Sequence, residues 1–187
     1  MKLIFIRHAQ TEWNALNKVQ GRTNVPLNDV GRAQARAAAG KLKQSEEKVD
    51  IIFCSPLARA IETAQIVSQP FNAPVVIDKR LIEIDFGKWE GAGRKQFVGG
   101  SASNAILHTP SDILLENNVE PLDLFQKRIN EFLEEIKEKY SGKTVVAVSH
   151  CVVGRWVHWY FHGLSGNEKY TLENAGIAEY VMDALPV

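Results

Sequence analysis

The chain predicts an α/β fold: a three-layer sandwich with a mostly parallel central sheet flanked by helices. Three observations carry that expectation. Residues 3–6, 51–54 and 145–148 are short continuous apolar runs rich in β-branched side chains, as strands buried on both faces require. Segments with helical spacing lie between them, so strands and helices alternate. Each run also delivers the chain to residues suited to phosphate: Arg7-His8, Ser55-Pro56-Leu57-Ala58-Arg59 and Ser149-His150. Open α/β sheets bind ligands at the carboxyl ends of their strands. Two histidines and two arginines are therefore expected at one end of one sheet.

The elements follow in order. After the strand at 3–6, residues 8–27 contain Gly, Asn, Thr and Pro and read as a loop. Asn28 is suited to cap a helix running to about Gln44, with an alanine face at Ala33 and Ala37. The strand at 51–54 meets Ser55-Pro56, a helix entry that tolerates proline, and that helix runs to about Ser68. Pro70 and Pro74 bracket a turn before a strand at 75–77. Residues 87–120 are the least regular part, with Gly91, Gly93, Gly99 and Gly100 and weak periodicity. An excursion of that length inside one domain reads as a cover that selects substrates or, alternatively, as a disordered surface segment. Pro121 then opens a helix whose Leu122, Phe125, Ile129, Phe132, Leu133, Ile136 and Tyr140 repeat at helical spacing. Ser141-Gly142 ends it before the strand at 144–148. A helix from Cys151 to His162 carries a stripe of Val153, Trp156, Val157 and Tyr160, stopped by Gly163. Residues 177–182 close the sheet.

Composition narrows the function. A chain of 187 residues is read as a single domain, 1–187, large enough to bury its own core. Its 22 basic and 22 acidic side chains balance, which argues against a nonspecific nucleic-acid binder. Local clusters of arginine can still take a small anion. Cys54 and Cys151 read as free thiols in a reducing compartment. The first strand begins too early to leave room for a signal peptide, and no apolar run could span a bilayer. The expectation is a cytoplasmic protein with neither nucleic-acid nor membrane partners. Trp159 and Phe161 suit a core or an interface equally, and the oligomeric state is left open.

Taken alone, His8 could be an ordinary hydrogen-bonded histidine at a strand end. Its neighbours favour chemistry: Arg7 adjoins it, and Thr11 and Asn14 follow in a polar loop able to wrap an oxyanion. A neutral imidazole with a fixed tautomer is nucleophilic near pH 7. Arg59 could be a solvated helix arginine, yet it falls in a first helical turn, where unpaired N–H groups already favour anions. His150 occupies the equivalent place after another strand, whereas Arg155 reads equally as a surface residue. Glu83 lies in an apolar stretch, and burial would suit it to donate a proton to a departing alkoxide. Asp85 and Glu90 read as turn or capping acids, and His108, His158 and His162 as structural or surface residues. No zinc spacing, Walker loop or dinucleotide fingerprint occurs, and arginines beside both key histidines would repel a cation. No metal or cofactor is expected.

These residues resemble a known pattern. Arg7-His8-Ala9-Gln10-Thr11-Glu12-Trp13-Asn14 is similar to the opening signature of the histidine phosphatase superfamily, the phosphoglycerate-mutase-like enzymes. The likeness continues through Gln20-Gly21-Arg22, Pro26-Leu27-Asn28, Ser55 to Ala60 with Thr63-Ala64, Glu83 to Gly91 and Val148-Ser149-His150. It implies His8 as the nucleophile that becomes phosphohistidine and Glu83 as the proton donor. It further implies a pocket of Arg7, Arg59 and His150, assisted by Asn14 and Gly21, around the phosphoryl oxygens. Three departures stand out. Ala9 replaces a usual glycine, and Cys151 replaces a common glycine, setting a thiol beside the pocket. Asn117-Asn118-Val119-Glu120-Pro121 stands where a Gly-Gly-Glu-Ser segment is usual, which bears on substrate identity.

The implied mechanism is in-line attack by His8 while Glu83 protonates the leaving oxygen. Arg7, Arg59 and a protonated His150 hold the equatorial oxygens, and water then hydrolyses the phosphohistidine. The substrate is a phosphomonoester of a small metabolite. A mutase of the phosphoglycerate type is the nearest alternative, although family mutases generally carry a longer covering segment. A non-catalytic phosphometabolite-binding regulator is the alternative from another class. It is disfavoured because every presumed catalytic position holds a competent residue.

Overall fold

A computed structural model describes residues 1–46, 48–97, 102–163 and 170–182. Five strands, β1 (Lys2–Arg7), β2 (Ile51–Cys54), β3 (Val75–Ile77), β4 (Thr144–Ser149) and β5 (Ile177–Val181), form one sheet in the order β3-β2-β4-β1-β5. All neighbours run parallel except β1 and β5, which pair antiparallel. The expected architecture is therefore observed.

The apolar runs are continuous because alternate residues enter two different cores. Leu3, Phe5, Val145 and Ala147 face one cluster, and Ile4, Ile6, Val146, Val148, Ile52 and Cys54 the other. Each is at most 1% exposed. Burying an aliphatic or aromatic side chain contributes about 1.5–3 kcal/mol, so both helical layers are held firmly to the sheet.

The first core is covered by α6 (Leu122–Lys139), which buries Phe125, Ile129, Phe132, Leu133 and Ile136 as the sequence spacing predicts, and by α7 (Cys151–His162). The second is covered by α2 (Asp29–Ser45), capped by the Asn28 side chain on the Gly31 amide, and by α3 (Ala58–Ser68). The alanine face of α2 differs from expectation. Ala33 and Ala37 are exposed, and the buried stripe is Ala35, Ala38, Ala39 and Leu42. Helix α7 is buried on more sides than one stripe allows, with Val152, Gly154, Arg155 and Trp159 joining Val153 and Val157. A Cβ at Gly154 would lie 2.6 Å from the Phe5 ring, so glycine lets the helix sit close over β1.

Two segments read as loops hold short helices. Within residues 8–27, α1 (Glu12–Ala15) is closed by a capping box between Thr11 and Asn14. Within residues 87–120 lie α4 (Ala102–His108) and α5 (Ser111–Glu116); Gly99 and Gly100 fall outside the described residues. Cys54 and Cys151 are free thiols. Among the described residues no helix is long and apolar enough to cross a membrane.

Candidate active site

Strands β1, β2 and β4 are neighbours, so their carboxyl ends bring Arg7, His8, Ser55, Ser149 and His150 together, with Arg59 one turn into α3. The rings of His8 and His150 lie 5.1 Å apart between centroids. The expected convergence is present.

His8 is 3% exposed and is held in one tautomer. Its Nδ1 lies 2.7 Å from the Ala9 carbonyl, which can only accept, so Nδ1 carries the proton and Nε2 the lone pair. The Arg59 Nε–H donates to that lone pair at 3.2 Å. Burial, together with the charges of Arg59, Arg7 and Arg94, holds His8 well below its usual pKa, so the ring is neutral at pH 7. The loop around it is pinned from α3: the Ala9 amide donates to Thr63 Oγ1 at 3.1 Å. The methyl of Ala9, in place of a glycine, is absorbed in a small apolar cluster with Leu27 and Ala35.

Arg59 is 1% exposed. Its Nη1 and Nη2 donate to the carbonyls of Thr23 and Gly21 at 2.9 and 2.7 Å. Burial brings its pKa down to about 10, which leaves it charged at neutral pH. Gly21, read from sequence as a substrate contact, thus acts on Arg59 through its carbonyl. Arg7 donates from Nη1 to the Leu172 carbonyl at 2.6 Å. Asn14 commits its Oδ1 to Thr11 and Asn174, leaving its amide NH₂ as the group it can offer a ligand.

His150 is fully buried, with Nε2 2.7 Å from Ser55 Oγ. Burial and the Arg59 charge hold its pKa well below the usual value as well. Among the described residues, two buried side-chain nitrogens lack any partner: Arg7 Nε and His150 Nδ1. Unpaired buried polar atoms are costly, on the order of 1–3 kcal/mol each, and both belong to this cluster.

Glu83 is 5% exposed, and burial raises its pKa against the pull of the Ile84 and Val152 amides and of Arg59 and Arg128. Its backbone is clamped from below. Arg128 donates to the carbonyls of Arg80, Ile82 and Glu83 while pairing with Glu120. Ser149 Oγ ties Leu81 to the end of β4 at 2.6 Å. The Asn117 to Pro121 segment that departs from the usual pattern therefore supplies Glu120 to this clamp. Asp85 caps its own turn at the Gly87 amide, as expected.

Several participants were not singled out from sequence. Ser55 stands in the phosphate-facing and family-like blocks of the sequence but is given no role there, although its place directly after a buried strand is the available signal. Arg94 is partly buried, its charge bears on His8, Arg7 and Glu83, and no hydrogen bond engages its side chain among the described residues. Arg155, read as equally suited to the surface, is 4% exposed and bonds the Tyr170 carbonyl and Asn104 Oδ1 at 2.9 and 2.7 Å. Cys151 heads α7, partly buried, beside Thr171 Oγ1.

Comparison with known proteins agrees with this geometry. Residues 3–184 match the model of the histidine phosphatase superfamily (branch 1). Phosphoserine phosphatase 1 of Hydrogenobacter thermophilus is 34% identical over 154 residues, covering 81% of this chain and 72% of that one. Among solved structures, a mutant phosphoserine phosphatase from Entamoeba histolytica in complex with phosphoserine superposes with a TM-score of 0.80 at 30% identity, covering 96% of this chain and 90% of that one. A mycobacterial glucosyl-3-phosphoglycerate phosphatase complexed with VO3 gives 0.77 at 25% identity, over 95% and 91% of the two chains. With the family's signature at the strand ends and its model matched almost end to end, the chain belongs to the histidine phosphatase superfamily, branch 1.

Proposed function

We propose that this histidine phosphatase hydrolyses a phosphomonoester of a small, acid-bearing metabolite through a phosphohistidine on His8. The observation that carries the reading is the state of His8: neutral, its lone pair on Nε2, in one cluster with Arg7 Nε and His150 Nδ1, two buried nitrogens with no partner among the described residues. A phosphoryl group supplies oxygens for both and a phosphorus for the lone pair. It also draws the Arg59 Nε–H away from His8, because a phosphate dianion is a stronger acceptor than an imidazole. Attack at phosphorus then proceeds in line, with Arg7 and Arg59 countering the equatorial charge.

His150 acts without a charge of its own. With Ser55 Oγ–H donating to Nε2, the neutral ring carries its proton on Nδ1 and donates it to a phosphoryl oxygen. This replaces the protonated ring inferred from sequence, which burial beside Arg59 disfavours. Glu83, whose pKa burial raises, gives its proton to the leaving alkoxide, and as carboxylate takes one from the water that splits the phosphohistidine.

Arg94 supports a second anionic group on the substrate, and the relatives named for phosphoserine and glucosyl-3-phosphoglycerate act on carboxylate-bearing phosphates. Residues 87–120, which carry Arg94 and Asn104, are accordingly the substrate-selecting part of one domain. The balanced charge and unbridged cysteines support a cytoplasmic enzyme that handles neither nucleic acid nor membrane. Hydrolysis is favoured over mutase chemistry by these phosphatase-named relatives, and a coupled assay for 3- to 2-phosphoglycerate conversion checks it. Rapid alkaline quench with substrate labelled in its phosphoryl group tests the intermediate. Label is expected on the wild-type chain and absent from His8→Ala; label on another residue rejects the scheme.

A further inference from the structure

Glu90 lies outside the set that would touch substrate, yet it collects four donors. Oε1 accepts the Arg22 amide at 2.7 Å and the Phe86 amide at 3.3 Å, and Oε2 accepts the Thr23 amide at 2.8 Å and the Thr23 hydroxyl. An acid serving its own turn would need only the Phe86 contact. The other three donors come from 67 and 68 residues away in the chain.

The segment so gripped is the one that holds Arg59. The carbonyls of Gly21 and Thr23 receive Nη2 and Nη1, which leaves Nε directed at His8 Nε2 at 3.2 Å. Gly21 is fitted to this arrangement twice over. Its φ of +51° favours glycine, and a Cβ there would stand 2.0 Å from Glu90 Oε1. The carboxylate can reach two successive amides only because position 21 is bare. A carboxylate also suits four donors better than an amide, whose NH₂ would face N–H groups.

We propose that Glu90 is a positioning residue for the phosphoryl pocket: it fixes the strap of residues 21–23, and the strap aims the Arg59 guanidinium at the reacting centre. The proposal rests on the phosphatase reading of the site. The hydrogen bonds of Glu90 go to Arg22, Thr23 and Phe86 and not to His8, so the proposed influence on turnover runs through the strap to Arg59.

A double-mutant cycle tests this, with kcat/KM measured on p-nitrophenyl phosphate for wild type, Glu90→Gln, Arg59→Ala and the double variant. Glu90→Gln is expected to cost about 10- to 100-fold with Arg59 present, as a misaimed group does, and less than about 3-fold in the Arg59→Ala background, because the two act as one unit. Equal losses in both backgrounds overturn the proposal, as does a Glu90→Gln enzyme as fast as wild type. Arg59→Ala retaining wild-type activity overturns the pocket itself and the proposal with it. If Glu90→Gln lacks a native circular dichroism spectrum, Thr23→Val, which removes one donor to Glu90, carries the same cycle. Its expected loss is about 3-fold, again only when Arg59 is present.

Discussion

At the strand ends, His8, Arg59, Glu83 and His150 are each no more than 5% exposed, and each is fixed by hydrogen bonds from other elements. In the excursion that follows Glu83, Arg94 is only partly buried, engages no acceptor among the described residues, and sits on a one-turn 3₁₀ helix. The two regions differ in what they must do. Moving a phosphoryl group demands donors preset to a fraction of an ångström, and the sheet supplies that rigidity. On the proposed function, choosing which molecule carries the phosphoryl group demands only a few adaptable contacts, which short irregular segments would supply.

The contrast can be broken most violently at the proposed nucleophile. His8→Ala is expected to lower kcat by at least about 10³-fold on every substrate, measured by phosphate release. Glu83→Gln comes next. It should slow alkyl phosphates by about 10²- to 10⁴-fold and p-nitrophenyl phosphate far less, since an activated leaving group needs no proton; equal losses on both would remove Glu83 from that role. The same two groups set the pH profile of kcat/KM. His8 must be neutral, and its lowered pKa puts the acid limb below the usual histidine range. Glu83 must be protonated, and its raised pKa puts the basic limb above the usual carboxylate range.

Arg94→Ala sharpens the comparison from the other side. KM for a carboxylate-bearing phosphomonoester should rise about 10-fold or more, the worth of one charged hydrogen bond, while p-nitrophenyl phosphate is hydrolysed as before. A uniform loss on both would place Arg94 with the phosphoryl donors instead. The smallest effect belongs to Ser55→Ala, which leaves His150 free to carry its proton on either nitrogen. A loss of about 3- to 10-fold in kcat is expected, checked by NMR of the His150 ring nitrogens.

How much of this was legible from sequence depended on whether a signal was local. Arg7, His8, Arg59 and His150 announced themselves because each follows a buried apolar run within a few residues, and Glu83 because an acid among Leu81, Ile82, Ile84 and Phe86 is conspicuous. The helix at Leu122–Lys139 was equally plain, its large apolar residues leaving one choice of face. Helix α2 was not, since alanine occurs at 33, 35, 37, 38 and 39 and cannot by itself set a phase. Only Leu42, one turn on from Ala38 and Ala39, distinguishes the buried stripe. Glu90, Arg128 and Glu120 were unreadable for another reason. Each has partners in distant segments, and nothing in the local sequence of a charged residue names the strand or turn that it will hold.

The contact between Arg59 Nε and His8 Nε2 has a consequence for which chemicals the protein will react with. An electrophile without anionic oxygens meets an imidazole whose electron pair is already engaged, and has nothing to offer the guanidinium in exchange. A phosphate ester brings its own replacement acceptor and so uncovers the base as it arrives. With His8 as the proposed nucleophile, discrimination between esters of phosphoric and carboxylic acids would thereby begin at the door, before any bond is stretched.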